Sequence, residues 1–213
     1  ELRSISPYLT PGETIVQSKR SPISKFPKMV KGNMPLYWSD YLLTHEEMAD
    51  LVIREPQAKK FLKRVIGADE FINGIERWCF WIHDDDLAEA RSIPYIADRI
   101  EWVRQKRLAS TDASARSHAA HPHRFRENRE TTKSSLVVPS VSSENRVYIP
   151  IGFVDKSIIV TNLAFVIYDC EPWIFGVVAS RMHNVWVRTV CGALETRIRY
   201  SSRLGYNTFP FPD

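Results

Sequence analysis

Apolar positions along this chain recur in two different periods, and the switching between them predicts a mixed fold. Thr44 and Glu47 form a capping-box pair that opens a helix ending before Pro56. Pro56 starts a second helix, with Ala58, Phe61, Leu62, Val65 and Ile66 on one face and Gly67 as its stop. Residues 78–83 read as a buried strand. Ser92 with Pro94 begins another helix, striped by Ile93, Ile96, Ile100 and Val103. Three strand-like runs follow at 135–141, 146–153 and 158–167. A long helix over about 169–191 comes next. Asp169 caps it, Pro172 sits in its first turn, and Trp173, Ile174, Val177, Val178, Met182, Val185, Trp186, Thr189 and Val190 recur at helical spacing. Its other face carries Ser180, Arg181, Asn184 and Arg188. Trp173, Val177 and Trp186 are expected in the core.

The stretches between are polar or broken. Pro7, Pro11, Pro22, Pro27 and Pro35 allow the first forty residues short strands, such as 13–18, and ordered loops, but no long helix. Residues 109–134 hold Phe125 as their sole large apolar side chain, which suits a polar helix or a long loop. The expected class is therefore α+β: a small sheet of short strands, flanking helices and one long amphipathic helix near the C-terminus. It forms a single domain over 1–213, with sub-regions 1–108, 109–134 and 135–213.

With 213 residues, 44% of them hydrophobic and 11% aromatic, the chain can bury a core without a covalent staple. Cys79, Cys170 and Cys191 are too few and too scattered for a disulfide framework or a Cys-rich zinc module. The longest apolar run, 158–168, is broken by Thr161 and Asn162 and falls short of the roughly 18 residues that span a bilayer. No basic, apolar leader opens the chain, so the cytoplasm is the expected compartment. Beginning at Glu1 without Met and ending just past Phe-Pro-Phe-Pro, it reads as a piece of a longer protein.

The net charge of +4 is modest, but charge is segregated. No acid occurs over 14–39, where Lys19, Arg20, Lys25, Lys28 and Lys31 fall. Arg181, Arg188, Arg197, Arg199 and Arg203 face Glu195 alone. A polyanion-facing side accounts for such a distribution, as do ordinary solvated faces.

Catalytic sets are missing. No Gly-rich loop follows a strand, so phosphate-cradling and dinucleotide fingerprints are absent. His121 and His123 lie across Pro122 near His118, but no acid or Cys completes a metal set at useful spacing. Asp84, Asp85 and Asp86 suit a helix N-terminus. Cys79, between Trp78 and Phe80, and His183, beside Met182, read as structural. Groove-reading side chains are present, however. Ser142, Ser143, Glu144, Asn145 and Arg146 lie between two strands, and such residues can pair with base edges.

Four blocks carry a resemblance: SKRSPISKFPKMVKGNMP (18–35), FINGIERWCFWI (71–82), VPSVSSENRVYIPIGF (138–153) and SRMHNVWVRTVCGALETRIRYSSRLGYNTFPFP (180–212). In order and over nearly the whole chain, they resemble the target recognition domain of MmeI-type restriction–modification enzymes, also called type IIL or IIG. In that family one polypeptide joins an endonuclease, a helical connector, an adenine-N6 methyltransferase using S-adenosylmethionine, and this domain. The resemblance implies a non-catalytic segment that reads a short asymmetric sequence in duplex DNA and aims both activities. S-adenosylmethionine and Mg would then serve the parent enzyme, and the methyltransferase domain of the same polypeptide would be a partner. The isolated piece would be a monomer. One departure is Leu36-Tyr37-Trp38-Ser39, where many relatives carry an Asp/Gly-Gly turn.

On this basis Ser142, Ser143, Glu144, Asn145 and Arg146 are expected to read bases, and Arg20, Lys31, Arg124, Arg129 and Lys133 to contact the DNA backbone. Glu144 and Arg146, two apart in an extended segment, would project to one side. Other classes remain open on the residues. A single-stranded nucleic-acid module would present Trp38, Tyr37 or Tyr148 on a basic face. A structural docking domain would touch no nucleic acid, and a metal-dependent nuclease would use His121, His123 and the acids.

Overall fold

The capping box at Thr44 is formed. Thr44 Oγ1 accepts the Glu47 N–H at 3.2 Å, and the Glu47 carboxylate accepts the Thr44 N–H at 2.8 Å. The helix His45–Arg54 follows and stops before Pro56, as the proline requires. This computed structural model describes residues 4–37, 40 and 42–212. They divide into two compact units: Glu1–Lys31, Thr131–Asp155 and Leu163–Asp213 in the first, Gly32–Glu130 and Lys156–Asn162 in the second.

The second unit is built on a sheet in the order Leu42–Thr44, Arg77–Phe80, Leu62–Ile66, Ile159–Val160; the last pairing is parallel, the others antiparallel. Leu62–Ile66 is thus a strand, not the second half of a Pro56 helix. Pro56–Phe61 forms only a 3-10 turn. The apolar spacing fits both periods there, but β-branched Val65 and Ile66 pack better on a pleat, and pairing on both edges decides the outcome. Helix Pro94–Leu108 buries Ile96, Ile100 and Val103, as its stripe predicts, together with Arg107. Ile96, Ile100 and Val103 share a core with Leu43, Leu51, Phe61, Phe80 and Trp81.

Gly32 is dictated by backbone approach. A Cβ there would lie 2.4 Å from the Thr161 carbonyl oxygen and 2.5 Å from that of Val160. Next to it, buried Asn33 donates from Nδ2 to the Arg129 carbonyl at 2.9 Å and accepts the Arg129 N–H at 2.8 Å.

In the first unit, Val30–Lys31, Ala164–Ile167, Ser134–Pro139 and Gly152–Asp155 form an antiparallel sheet in that order. Ala164–Ile167 is buried throughout, so it reads as a continuous apolar run rather than an alternation. A smaller sheet pairs Ala193–Leu194 with Arg197–Arg199 and that strand with Val141–Ser142. The run 158–167 is two strands, one in each unit, because Thr161 and Asn162 turn their N–H groups to the carbonyls of Ile66 and Asn33. Over 146–153 only Gly152 and Phe153 are in a strand, and 13–18 makes none. Pro150 has no ladder donor.

The predicted long helix is divided. Pro172–Val178 and Arg181–Val190 are separate, because Ser180 adopts an extended conformation and accepts the His183 N–H as a cap. That break shifts the phase of the second helix. It buries His183, Asn184, Val187 and Val190, leaving Met182 71% and Val185 55% exposed. Trp173 is also exposed rather than in the core, with its ring edge-on to Phe26 at 5.2 Å; Val177 and Trp186 are half-buried. Asp169 does not cap. It sits at φ +50°, and Glu171 takes the N-cap position before Pro172. The Phe-Pro-Phe-Pro end is core: Phe209 and Phe211 are buried, Phe211 stacks on Phe26 at 3.8 Å, and Tyr206 donates to the Pro27 carbonyl at 2.8 Å.

His183 lies among these aromatic rings, with Nε2 2.9 Å from Tyr200 Oη, and burial pushes its pKa from 6.5 down to about 4. The fold therefore holds the neutral imidazole. The unfolded chain binds the extra proton between pH 6.5 and 4, so stability falls as pH drops through that window, by on the order of 3 kcal/mol. Chemical denaturation from pH 7 to pH 4 should show this loss, and His183→Gln should lack most of it. Parallel pH profiles for both chains would contradict the assignment.

Candidate nucleic-acid interface

The polar run after Val141–Ser142 ends a strand and turns. Ser142 pairs with Ile198, and its side chain is buried. Ser143 Oγ accepts the Asn145 N–H at 3.2 Å, and the Ser143 carbonyl accepts the Arg146 N–H at 3.3 Å, which closes the turn at Glu144–Asn145. Glu144 and Arg146 therefore flank a corner rather than alternate along an extended strand. Both are exposed, as is Asn145. Glu144 does not pair with Arg146: Oε1 accepts the Thr196 hydroxyl at 2.9 Å. Its own backbone N–H and that hydroxyl, with Arg197 nearby, hold its carboxyl below the usual range.

Arg188 supports the far side of this turn. Its Nη2 donates to the carbonyl of Arg146, and its Nε donates to Asn184 Oδ1 at 3.1 Å. Beyond the turn, Val147 and Tyr148 are exposed and border a groove of about 350 Å³ with Arg181, Val185 and Arg188.

Lys31 lies on the same unit, in a second concavity. Its ammonium donates to Ser140 Oγ at 2.7 Å and sits 4.3 Å above the Phe165 ring. Burial first, and then the charge of Arg199, lowers its pKa. Lys133 reaches Glu171 at 3.4 Å, and its N–H is one of four donors to Asp169 Oδ1, with the Thr132 N–H and the hydroxyls of Thr131 and Thr132. Those bonds, the Lys133 N–H foremost, push the Asp169 carboxyl down to about 2. Arg20 is exposed beside Lys19, whose N–H donates to the Arg203 carbonyl at 3.0 Å.

Arg124 and Arg129 belong to the second unit. Arg124 pairs with Asp84 at 3.0 Å, and the other oxygen of that carboxylate meets His123 Nε2 at 2.7 Å. His123 is buried. Desolvation lowers its pKa despite the opposing carboxylate, and His123 and Arg124 hold Asp84 below its usual range. Among the described residues, no three His, Cys, Asp or Glu side chains gather as metal ligands. No helix of the described residues is long and apolar enough to cross a membrane.

Of the sequence-predicted residues, then, the structure places Ser142, Ser143, Glu144, Asn145 and Arg146 together in the first unit. Lys31, Arg20 and Lys133 are in the same unit, and Arg124 and Arg129 are in the other. Sequence reasoning missed Arg188, Thr196 and Arg199 as their neighbours. A signal was present: Arg197, Ile198 and Arg199 alternate as a half-buried strand does. Trp38 lies outside the described residues, and Tyr37 is half-buried at φ +68°.

Segment 118–124, which carries Arg124, depends on one buried cation. Arg107 is fully buried, and its guanidinium donates to the carbonyls of His118, His121 and Arg124 at 2.8 to 3.0 Å. Arg107→Met should leave these acceptors unmatched and cost roughly 3 kcal/mol or more. A denaturant midpoint unchanged from the parent chain would refute that role.

The family of MmeI target recognition domains matches residues 11–213. DNA methyltransferase A of Bacillus subtilis (strain 168) is 46% identical over 211 residues, which are 99% of this chain and 24% of that protein. Among solved structures, that of the Type IIL restriction–modification enzyme MmeI in complex with DNA is similar at a TM-score of 0.93 and 42% identity. The match covers 99% of this chain and 28% of that one. The chain thus spans about a quarter of the length of the relatives it matches. By family match, sequence identity and fold alike, the chain belongs to the MmeI target recognition domains.

Proposed function

We propose that this chain reads a short base sequence in duplex DNA on behalf of a restriction–modification enzyme that methylates adenine N6 and cleaves DNA. One observation carries the reading. Glu144, Asn145 and Arg146 stand exposed on a single turn, flanked by Arg188 and Arg197. An acceptor, an amide and a forked guanidinium are the groups that distinguish cytosine, adenine and guanine edges in the major groove. The similar MmeI structure, which was solved with DNA, supports this assignment. In this reading Arg20, Lys31, Arg124, Arg129 and Lys133 meet phosphates, which position the duplex without reading it. Ser142 is buried, so it supports the turn from below rather than touching bases.

S-adenosylmethionine and Mg serve the methyltransferase and endonuclease portions of a longer polypeptide, and no residue of this chain is assigned to hold either. The methyltransferase portion is a partner across the duplex. The cytoplasm is the compartment such an enzyme requires.

Tyr148 favours a second reading. It is exposed beside Arg181 and Arg188, where an unpaired base could stack. Titrating the chain with duplex and with single-stranded DNA separates the two. Duplex should be preferred, and log affinity should fall with log salt at about 0.9 per phosphate contacted. Tighter binding to the single strand, or affinity indifferent to salt, would sink the duplex reading. Among duplexes of varied sequence, Glu144→Gln with Arg146→Gln should change the base accepted at one or two positions, at about 1–3 kcal/mol each. Lys133→Gln should instead weaken all sequences alike.

A further inference from the structure

We propose that the concavity around Lys31, Arg199 and Arg203 seats one phosphate of the duplex backbone and thereby sets the register of the 143–146 turn on the bases. This rests on the duplex reading above and adds to it a binding site with its own residues. The concavity is about 480 Å³, and Lys31, Ser140, Phe165, Arg199, Ser202 and Arg203 are among its lining residues. Among the described residues, no carboxylate lines it. Among the described residues, neither the Arg199 nor the Arg203 guanidinium has a hydrogen-bond or ion-pair partner. The acids of the two adjoining turns are committed elsewhere, Glu195 to Arg197 at 2.8 Å and Glu144 to Thr196.

Cations sharing one hollow repel each other, and the Lys31 pKa is lowered by burial first and then by the charge of Arg199. An anion entering the hollow would offset that cost. A phosphate suits the donors, since two forked guanidiniums and an ammonium can each meet a separate oxygen, and the hydroxyls of Ser140 and Ser202 are at the wall.

The hollow is joined to the reading turn through the backbone. Val141 lines it and pairs with Arg199, and the turn begins two residues later at Ser143. Glu144 is three residues from Val141, so the chain between them spans at most roughly 10 Å, at about 3.3 Å per residue if fully extended. The major groove is about 8.5 Å deep, so a phosphate held in the hollow brings base edges within reach of the turn. That spacing favours a backbone phosphodiester over a free anion.

The test is a duplex series with one phosphate at a time replaced by neutral methylphosphonate, bound to the parent chain, Arg199→Gln and Arg203→Gln, with melting checked for each. One backbone position should weaken the parent several-fold and leave Arg199→Gln unaffected, and the salt slope of that variant should be shallower by about 0.9. Arg199→Lys should recover part of the slope. If both Gln variants keep the parent's slope and its sensitivity at every position, the phosphate seat is overturned while the duplex reading stands. If millimolar inorganic phosphate removes the difference between parent and variants at constant ionic strength, the hollow is a free-anion site and the backbone assignment fails. If the parent shows no salt-dependent affinity for any duplex, the duplex reading itself fails.

Discussion

The antiparallel register of Arg197–Arg199 on Val141–Ser142 is the constraint on which the candidate surface depends. Ile198 opposite Ser142 faces inward, so the flanking Arg197 and Arg199 must face out. That register puts Thr196 within reach of Glu144 and Arg199 within the hollow that holds Lys31. A slip of one residue would bury two arginines and expose the isoleucine, and the buried face forbids it.

Irregular segments in this chain are held by buried or multiply bonded polar groups rather than by secondary structure. Asn33 grips the backbone of Arg129 on both sides, Arg107 collects three carbonyls, and Asp169 accepts four donors from 131–133. Each device spends a side chain on backbone groups that no ladder satisfies. Surface cations can then be presented from loops without those loops being loose. Arg124, Arg129 and Lys133 all belong to segments tied in this way.

The surface that results has a division of labour. A short turn carries an acid, an amide and a guanidinium, while a hollow one strand away gathers Lys31, Arg199 and Arg203 beside the Ser140 and Ser202 hydroxyls. Coulomb attraction is long-ranged and indifferent to sequence, whereas hydrogen bonds to base edges are short-ranged and geometric. The pairing of Val141–Ser142 with Ile198–Arg199 joins the two, so in the proposed reading a phosphate held in the hollow decides what the turn can touch.

What the amino-acid sequence determined by itself is what closes within a few residues or is written in long motif blocks. The Thr44–Glu47 cap, the stop at Pro56, the stripe of the Pro94–Leu108 helix, the mixed class and the family membership were all legible for that reason. The polar cluster at 142–146 stood out by its composition between two strands, although the placing of Glu144 and Arg146 on either side of a corner did not. Tertiary structure decided the rest. Leu62–Ile66 became a strand because Arg77–Phe80 and Ile159–Val160 border it, and the last long helix broke where Ser180 could cap a new one with His183 and Val187 facing the core. Lys31 and Arg199 share a hollow only because strands from opposite ends of the chain are brought together. Such pairings depend on partners far apart in sequence, which local periodicity does not encode.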